Sequence, residues 1–235
     1  MSKFTPKTAL IIGAGSGISA SFAKRLAAEG VKVGLAARST DKLAELASQI
    51  KADVYRVDCG EKSSVQDLFR DFDAKNPGGL DILLFNAGNM GDFGPIEGID
   101  ADKVHQSLQV GAFGAFVAAQ EAARRMLPRG QGAILFTGAT AAVKAFAEAH
   151  SFAMSKFAQR GLAQSLAREL APKGIHVCHF NIDGGVYNPA TLLPDAPRED
   201  FLDPDAIADT YWYIATQHRS AWTWEVELRP FKENW

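Results

Sequence analysis

The sequence predicts an α/β protein: a doubly wound, mostly parallel sheet of about seven strands with helices on both faces. Three observations carry this. Strand-like and helix-like stretches alternate from one end of the chain to the other, the pattern of consecutive β-α units. Several strand stretches are continuous apolar runs, as strands covered on both faces must be. The first strand passes through a glycine-rich turn straight into a helix, the opening of a Rossmann-type unit.

In chain order, strands are predicted at 9–12, 31–36, 54–57, 82–85, 133–136, 175–181 and 224–228. Between them, apolar residues at helical spacing predict amphipathic helices at 17–29, 40–51, 63–73, 102–126, 152–170 and 204–218. Gly30, Gly78, Gly79, Gly130 and Gly174 stand where helices should stop, and Asp100 and Asp203 where they should start. The segment 184–203, rich in proline and acidic residues, follows the sixth strand, where a substrate loop over the ligand crevice would sit. Nothing reads as a linker, so residues 1–235 are expected to form one domain.

Composition narrows the function classes. The chain has 47% hydrophobic and 22% charged residues and a net charge of −2. It can bury a large core, and it carries no electrostatic footprint for nucleic acid or an anionic membrane. The longest nearly apolar run, 111–119, is too short to span a bilayer. The opening MSKFTPK has neither the apolar stretch nor the cleavage site of a signal peptide, and a cytoplasmic protein is expected. Two cysteines, Cys59 and Cys178, are too few for a disulfide framework and are expected as small buried hydrophobes in strand-like segments. His176 and His179, three apart in a strand, face opposite sides of the sheet, so no metal site is expected there or elsewhere.

The first strand ends in Gly13-Ala14-Gly15-Ser16-Gly17-Ile18-Ser19. Glycines here let backbone approach a phosphate, and the helix N-terminus that follows favours negative charge. Tight βα turns also need glycine for their own sake. After the second strand comes Arg38, with Ala36 and Ala37 before it rather than a carboxylate. Arginine can pair with the 2′-phosphate of NADP(H), whereas an acidic residue would accept from the ribose hydroxyls of NAD(H). NADP(H) is therefore preferred over NAD(H), with a solvated loop cation as the plain alternative for Arg38. Asp58, at the end of the third strand, could meet the adenine edge or form a turn.

Taken in order, several stretches resemble the short-chain dehydrogenase/reductase family. They are the glycine turn; Asn86-Ala87-Gly88, like the family's Asn-Asn-Ala-Gly with Phe85 in place of the first Asn; and Ser155-Lys156 followed by Gly161-Leu162, like the core of its Tyr-x-x-x-Lys helix. The run 166–174 (LARELAPKG) and Asp183-Gly184, in place of the family's Pro-Gly, complete the set. The resemblance covers nearly the whole chain. It implies a nicotinamide dinucleotide held by the glycine turn, Asn86, Ala87, Gly88, Lys156, Gly184 and Val186. It also implies a homodimer or homotetramer built through the fourth and fifth helices.

The family's active site uses Asn, Ser, Tyr and Lys. Carried over position by position, these fall on Gly111, Ala139, Phe152 and Lys156. Only the lysine is retained, and the third glycine of the turn is Ser19. Phe152 and Lys156, four apart, share a helix face, so the geometry of the site is expected to persist without its proton chemistry. Losing a general acid forfeits about 10²–10⁴-fold in rate. Losing a donor to a developing oxyanion forfeits about 10²–10³-fold.

Tyr187 first and Asp183 second are candidate substitute proton donors, with His150 and Thr140 behind them; loop aromatic, turn residue and cap are the plain alternatives. Phe93, Phe113, Phe146, Phe152, Leu192 and Leu193 could line an apolar pocket or simply pack. Trp222, Trp224, Trp235 and Phe231 could pack the last strand or form a subunit contact.

The expected function is an NADP(H)-dependent oxidoreductase with a reassigned proton donor, acting on an apolar small molecule. The alternative is a non-catalytic dinucleotide-binding sensor or partner. A third reading, a scaffold that has lost the cofactor, rests on Ser19 and Phe85 alone.

Overall fold

A computed structural model describes residues 4–188 and 197–233. Seven parallel strands form one sheet in the order β3-β2-β1-β4-β5-β6-β7. They are β1 (Thr8–Ile12), β2 (Lys32–Ala37), β3 (Asp53–Arg56), β4 (Ile82–Phe85), β5 (Gly132–Thr137), β6 (Ile175–Ile182) and β7 (Glu225–Leu228). Every predicted strand is present, with ends shifted by a residue or two. The strand order reverses between β1 and β4, and the crevice outside the carboxyl ends of these strands is where ligands bind in such sheets.

All residues of β1, β4, β5 and β6 are buried, because helices cover both faces. On one face lie α3 (Lys62–Lys75), α5 (Gly114–Met126) and α6 (His150–Leu170); on the other lie α1 (Ile18–Ala28), α2 (Ala44–Ile50) and α7 (Pro204–Ala215). In α3 the buried residues are Val65, Leu68, Phe69 and Phe72, the spacing of one helical stripe. Asp100 and Asp203 act as the expected N-caps, accepting from Asp102 N–H and Asp205 N–H, both at 2.9 Å.

Four expectations are corrected. The helix predicted over 102–126 is α4 (Ala101–Leu108), a π-helical turn at Gln109–Phe113, and then α5. The helix predicted over 40–51 opens with a 3₁₀ turn at Asp41–Leu43 before α2. The helix predicted to end at 218 stops at Ala215, where Thr216 Oγ1 caps the Trp212 carbonyl at 2.8 Å. Cys59 is buried as expected but lies in the turn after β3, not in a strand-like segment; Cys178 is buried in β6, and both thiols are free.

Candidate active site

The turns after β1, β2, β3 and β4 converge on one crevice of about 420 Å³. Gly13 takes φ +83°, and a Cβ there would lie 2.3 Å from the backbone nitrogen of Ala87. Glycine is required, both for the left-handed backbone and for the close approach of the β1 and β4 turns. Asn86 Nδ2 donates to the Gly13 carbonyl at 3.1 Å and to Ser19 Oγ at 2.8 Å, and Ser19 Oγ donates to the same carbonyl at 3.1 Å. Ser19 thus braces the turn. Phe85 is fully buried and packs against Phe136.

The crevice brings together Gly13, Gly15, Ser16, Arg38, Asp58, Asn86, Ala87 and Gly88. Gly17 caps α1 and Ile18 begins it, and no acidic residue occupies that helix's first turn, so its positive end is left open to an anion. Asp58 serves the turn as well: its Oδ1 accepts Gly60 N–H, and its own N–H donates to Ser64 Oγ, both at 2.9 Å. Lys42 also lines the crevice and was missed. Its only sequence signal is that it lies four residues past Arg38, and the 3₁₀ turn brings it alongside.

Lys156 is buried, and its Nζ donates to the Thr137 carbonyl at 2.8 Å. Burial lowers its pKa to about 8. The Phe152 ring centroid is 5.9 Å from Nζ, so the two share a helix face, and Phe93 lies 6.5 Å beyond it, ring to ring. Ala139 follows β5, and Gly111 lies in the π turn. A Cβ on Gly111 would fall 2.1 Å from Ser155 Oγ. Ser155 thus occupies the space a side chain at 111 would need, and Gln159 Nε2 donates to the Gly111 carbonyl at 3.3 Å. Ser151 anchors the loop before α4: its Oγ accepts Asp92 N–H at 3.1 Å and lies 3.0 Å from the Asp92 carbonyl. Ser155 stands in the Ser155-Lys156 match of the sequence, without a role assigned there; Ser151 and Gln159 carry no motif that would have singled them out.

Below Lys156 on β6, His179 is fully buried with its Nδ1 3.2 Å from Glu225 Oε1. Burial pushes its pKa down to about 4, helped by the nearby Lys156 and Arg160 and opposed by Glu225. His176 lies on the opposite face of the strand, stacked on Trp222 at 4.7 Å. Among the described residues, no cluster could hold a metal ion.

The candidate substitute donors are dispersed. Asp183 is buried and ion-paired with Arg229. Tyr187 N–H donates to the Leu202 carbonyl at 2.8 Å, next to the bridge between Val186 and Leu202, and its ring lies under the Arg198 guanidinium at 4.9 Å. Thr140 opens a 3₁₀ turn after β5, and His150 begins α6. Thr140, Asp183 and Gly184 border a second cavity, at the carboxyl ends of β5, β6 and β7. Met90, Phe93 and Phe146 are exposed. Trp224 lies beside Arg160, whose guanidinium is 5.9 Å from its ring. Leu192, Leu193 and Trp235 lie outside the described residues.

Comparison with known proteins agrees with this geometry. Residues 7–187 match the family model described as short chain dehydrogenase. An uncharacterized oxidoreductase of Staphylococcus aureus is 31% identical over 234 residues, spanning 98% of this chain and 100% of the relative. The crystal structure of a short-chain dehydrogenase from Rhodopseudomonas palustris superposes with a TM-score of 0.82 at 36% identity, covering 96% of this chain and 99% of that one. A metagenomic short-chain oxidoreductase solved in complex with NADP has a TM-score of 0.83 at 25% identity, covering 97% of this chain and 99% of its own.

Proposed function

This chain belongs to the short-chain dehydrogenase/reductase family of oxidoreductases, whose fold binds a nicotinamide dinucleotide, and from that premise we propose that it is an NADP(H)-dependent oxidoreductase working without the family's usual proton donors. The observation that carries the cofactor preference is the pair Arg38 and Lys42 on the wall of the crevice. Both are exposed, neither makes an ion pair among the described residues, and no carboxylate stands at Ala36 or Ala37. A 2′-phosphate would meet two cations there, and an arginine fork suits its oxygens. The NADP in the metagenomic relative supports the same reading.

When bound, the reduced nicotinamide supplies a hydride equivalent to an electrophilic carbon. The chain's own residues do the rest. The Gly13–Ile18 turn and the open end of α1 hold the pyrophosphate, and Asn86 fixes that turn to β4. Lys156 holds the nicotinamide ribose, turning from the Thr137 carbonyl to do so. Phe152 and Phe93, with Phe146 and Met90 exposed nearby in sequence, receive the apolar body of a small molecule. Phe152, Ala139 and Gly111 offer no proton to it. The free buried thiols fit a cytoplasmic setting, and no helix among the described residues is long and apolar enough to cross a membrane.

The test is a fluorescence titration with NADPH and NADH. NADPH is expected to bind more tightly, and Arg38→Ala to weaken NADPH about tenfold, which is roughly 1.4 kcal/mol, while leaving NADH nearly unchanged. Equal loss for both nucleotides would remove the 2′-phosphate contact from the reading.

The same reading includes a homo-oligomer. Phe113 and Phe116, stacked at 6.3 Å on the π turn and α5, and Met154 and Phe157 on α6, are all exposed. Four large apolar side chains on the π turn, α5 and α6 are the kind of surface a partner copy covers. Light scattering is expected to report a dimer or tetramer, and Phe116→Glu to shift it toward monomer; an unchanged mass would place the interface elsewhere.

A further inference from the structure

Lys156 is a buried cation with no anion to match it. Its Nζ is held by a neutral group, the Thr137 carbonyl, and burial alone acts on its pKa, with no carboxylate to oppose the downward shift. The charged groups packed around it answer to one another instead. Glu225 on β7 takes both arms of the Arg160 guanidinium from α6 and faces His179 on β6 at 3.2 Å. A lone positive charge in a poorly solvated site favours an anion that forms beside it.

The same face of α6 has no proton to give. Phe152, Ala139 and Gly111 carry none. The helix hydroxyls are engaged with backbone: Ser151 Oγ with the Met90 and Asp92 carbonyls at 3.1 and 3.0 Å, and Ser155 Oγ with the Ser107 carbonyl at 3.3 Å. Asp183 is held by Arg229, and the Tyr187 ring lies under Arg198. What stands there is aromatic: Phe152, with the exposed Phe93 6.5 Å away, ring to ring. The site thus offers flat apolar walls and one uncompensated cation.

We infer that the substrate is a quinone, a planar acceptor whose reduced form is a stable anion, and that the Lys156 ammonium stabilises that anion. This rests on the oxidoreductase reading above, and it accounts for the missing donors. A ketone taking up hydride becomes an alkoxide, about as basic as hydroxide, and must be given a proton in the site. A quinone takes the hydride equivalent at a ring carbon. A C–H bond forms there, the C=C π pair shifts toward the carbonyl, and its oxygen becomes an enolate. That enolate is an isomer of the aromatic phenolate of the hydroquinone. A phenol has an ordinary pKa of about 10, so its anion persists beside an ammonium, and solvent supplies the proton after release. Phe, Ala and Gly at positions 152, 139 and 111 then cost nothing.

The test sets menadione, a bicyclic quinone, against tetralone, a bicyclic ketone, with NADPH and the full-length protein. Menadione reduction is expected to scale with added protein and to exceed that of tetralone at least about 100-fold. A second readout needs no turnover. 2-Hydroxy-1,4-naphthoquinone has the same two rings and is an anion at neutral pH. Calorimetry without cofactor is expected to show it binding at least about tenfold more tightly than menadione, and Lys156→Met to erase that difference. Raising the pH from 7 to 9 is expected to erase it too, because Lys156 loses its proton at about 8. His179 is already neutral there, and the Arg160–Glu225 pair keeps its charges. Equal binding of the two quinones, or a preference that survives Lys156→Met, overturns the inference. Reduction of menadione but not tetralone supports both the inference and the oxidoreductase reading. Reduction of tetralone at a matching rate overturns the inference and keeps that reading. Reduction of neither overturns the inference, and the oxidoreductase reading falls with it only if Phe152→Tyr combined with Ala139→Ser also leaves tetralone unreduced.

Discussion

Replacing Phe152 by Tyr and Ala139 by Ser together is expected to raise ketone reduction at least about 100-fold over the unaltered protein. The helix already holds Lys156 one turn beyond residue 152, with Nζ 5.9 Å from the ring centroid. Phe and Tyr differ by one hydroxyl, so the first substitution adds a proton donor with little other change. The neighbouring ammonium favours the phenolate and so makes the phenol a better acid. The serine adds a second donor to the oxygen that gains charge. Each single substitution is expected to recover much less, because such residues act as a unit. The asparagine position is different. Gly111→Asn alone drives the new Cβ to within 2.1 Å of Ser155 Oγ and is expected to destabilise by about 1–3 kcal/mol, as overpacking does; Ser155→Ala would have to accompany it. NADPH oxidation with tetralone measures the gain. Unchanged turnover in the double variant would mean that substrate carbonyls do not reach the face shared by residues 152 and 156.

Acid is expected to destabilise the protein through His179. Its folded-state pKa, about 4, lies below the ordinary value of 6.5, so the fold keeps the imidazole neutral while the unfolded chain protonates it. The unfolded state therefore binds more protons in this window, and stability falls as pH drops from 6.5 toward 4. A shift of this size amounts to roughly 3 kcal/mol. Its cause is geometric: the ring is fully buried between β5 and α6, with Lys156 and Arg160 nearby and only Glu225 to favour the charged form. Urea unfolding at pH 7 and pH 4.5 would measure it. The unaltered protein is expected to lose stability relative to His179→Gln over that interval; parallel losses in the two would assign the acid sensitivity to other groups. Lys156 acts at the alkaline side. With its pKa at about 8, the cost of burying its charge is relieved as pH rises from 8 toward 10.5, where the unfolded lysine still holds its proton.

The sequence by itself determined the architecture. Several strands are continuous apolar runs, which suit strands covered on both faces, and the caps at Asp100 and Asp203 and the stop at Gly174 follow from local backbone chemistry, which short windows of residues carry. The glycine turn, Asn86, Arg38 and the Phe152–Lys156 pair were legible for the same reason: each is a local pattern placed by its element. The tertiary structure alone decided what depends on residues far apart in the chain. Ser19 reads as a damaged motif until Asn86, from β4, is seen to bond it. Gly111 reads as a lost side chain until Ser155, on α6, is found in the space. Lys42 joins Arg38 only because a 3₁₀ turn replaces the first turn of a helix. The cavity bordered by Thr140, Asn181, Asp183 and Glu227 has no sequence signature, since it is built from the turn after β5 and the carboxyl ends of β6 and β7, brought together by the ladder that pairs Asn181 with Glu227. Local propensity sets which elements form; which side chains share a cavity is set by strand register and packing, and those are properties of the whole fold.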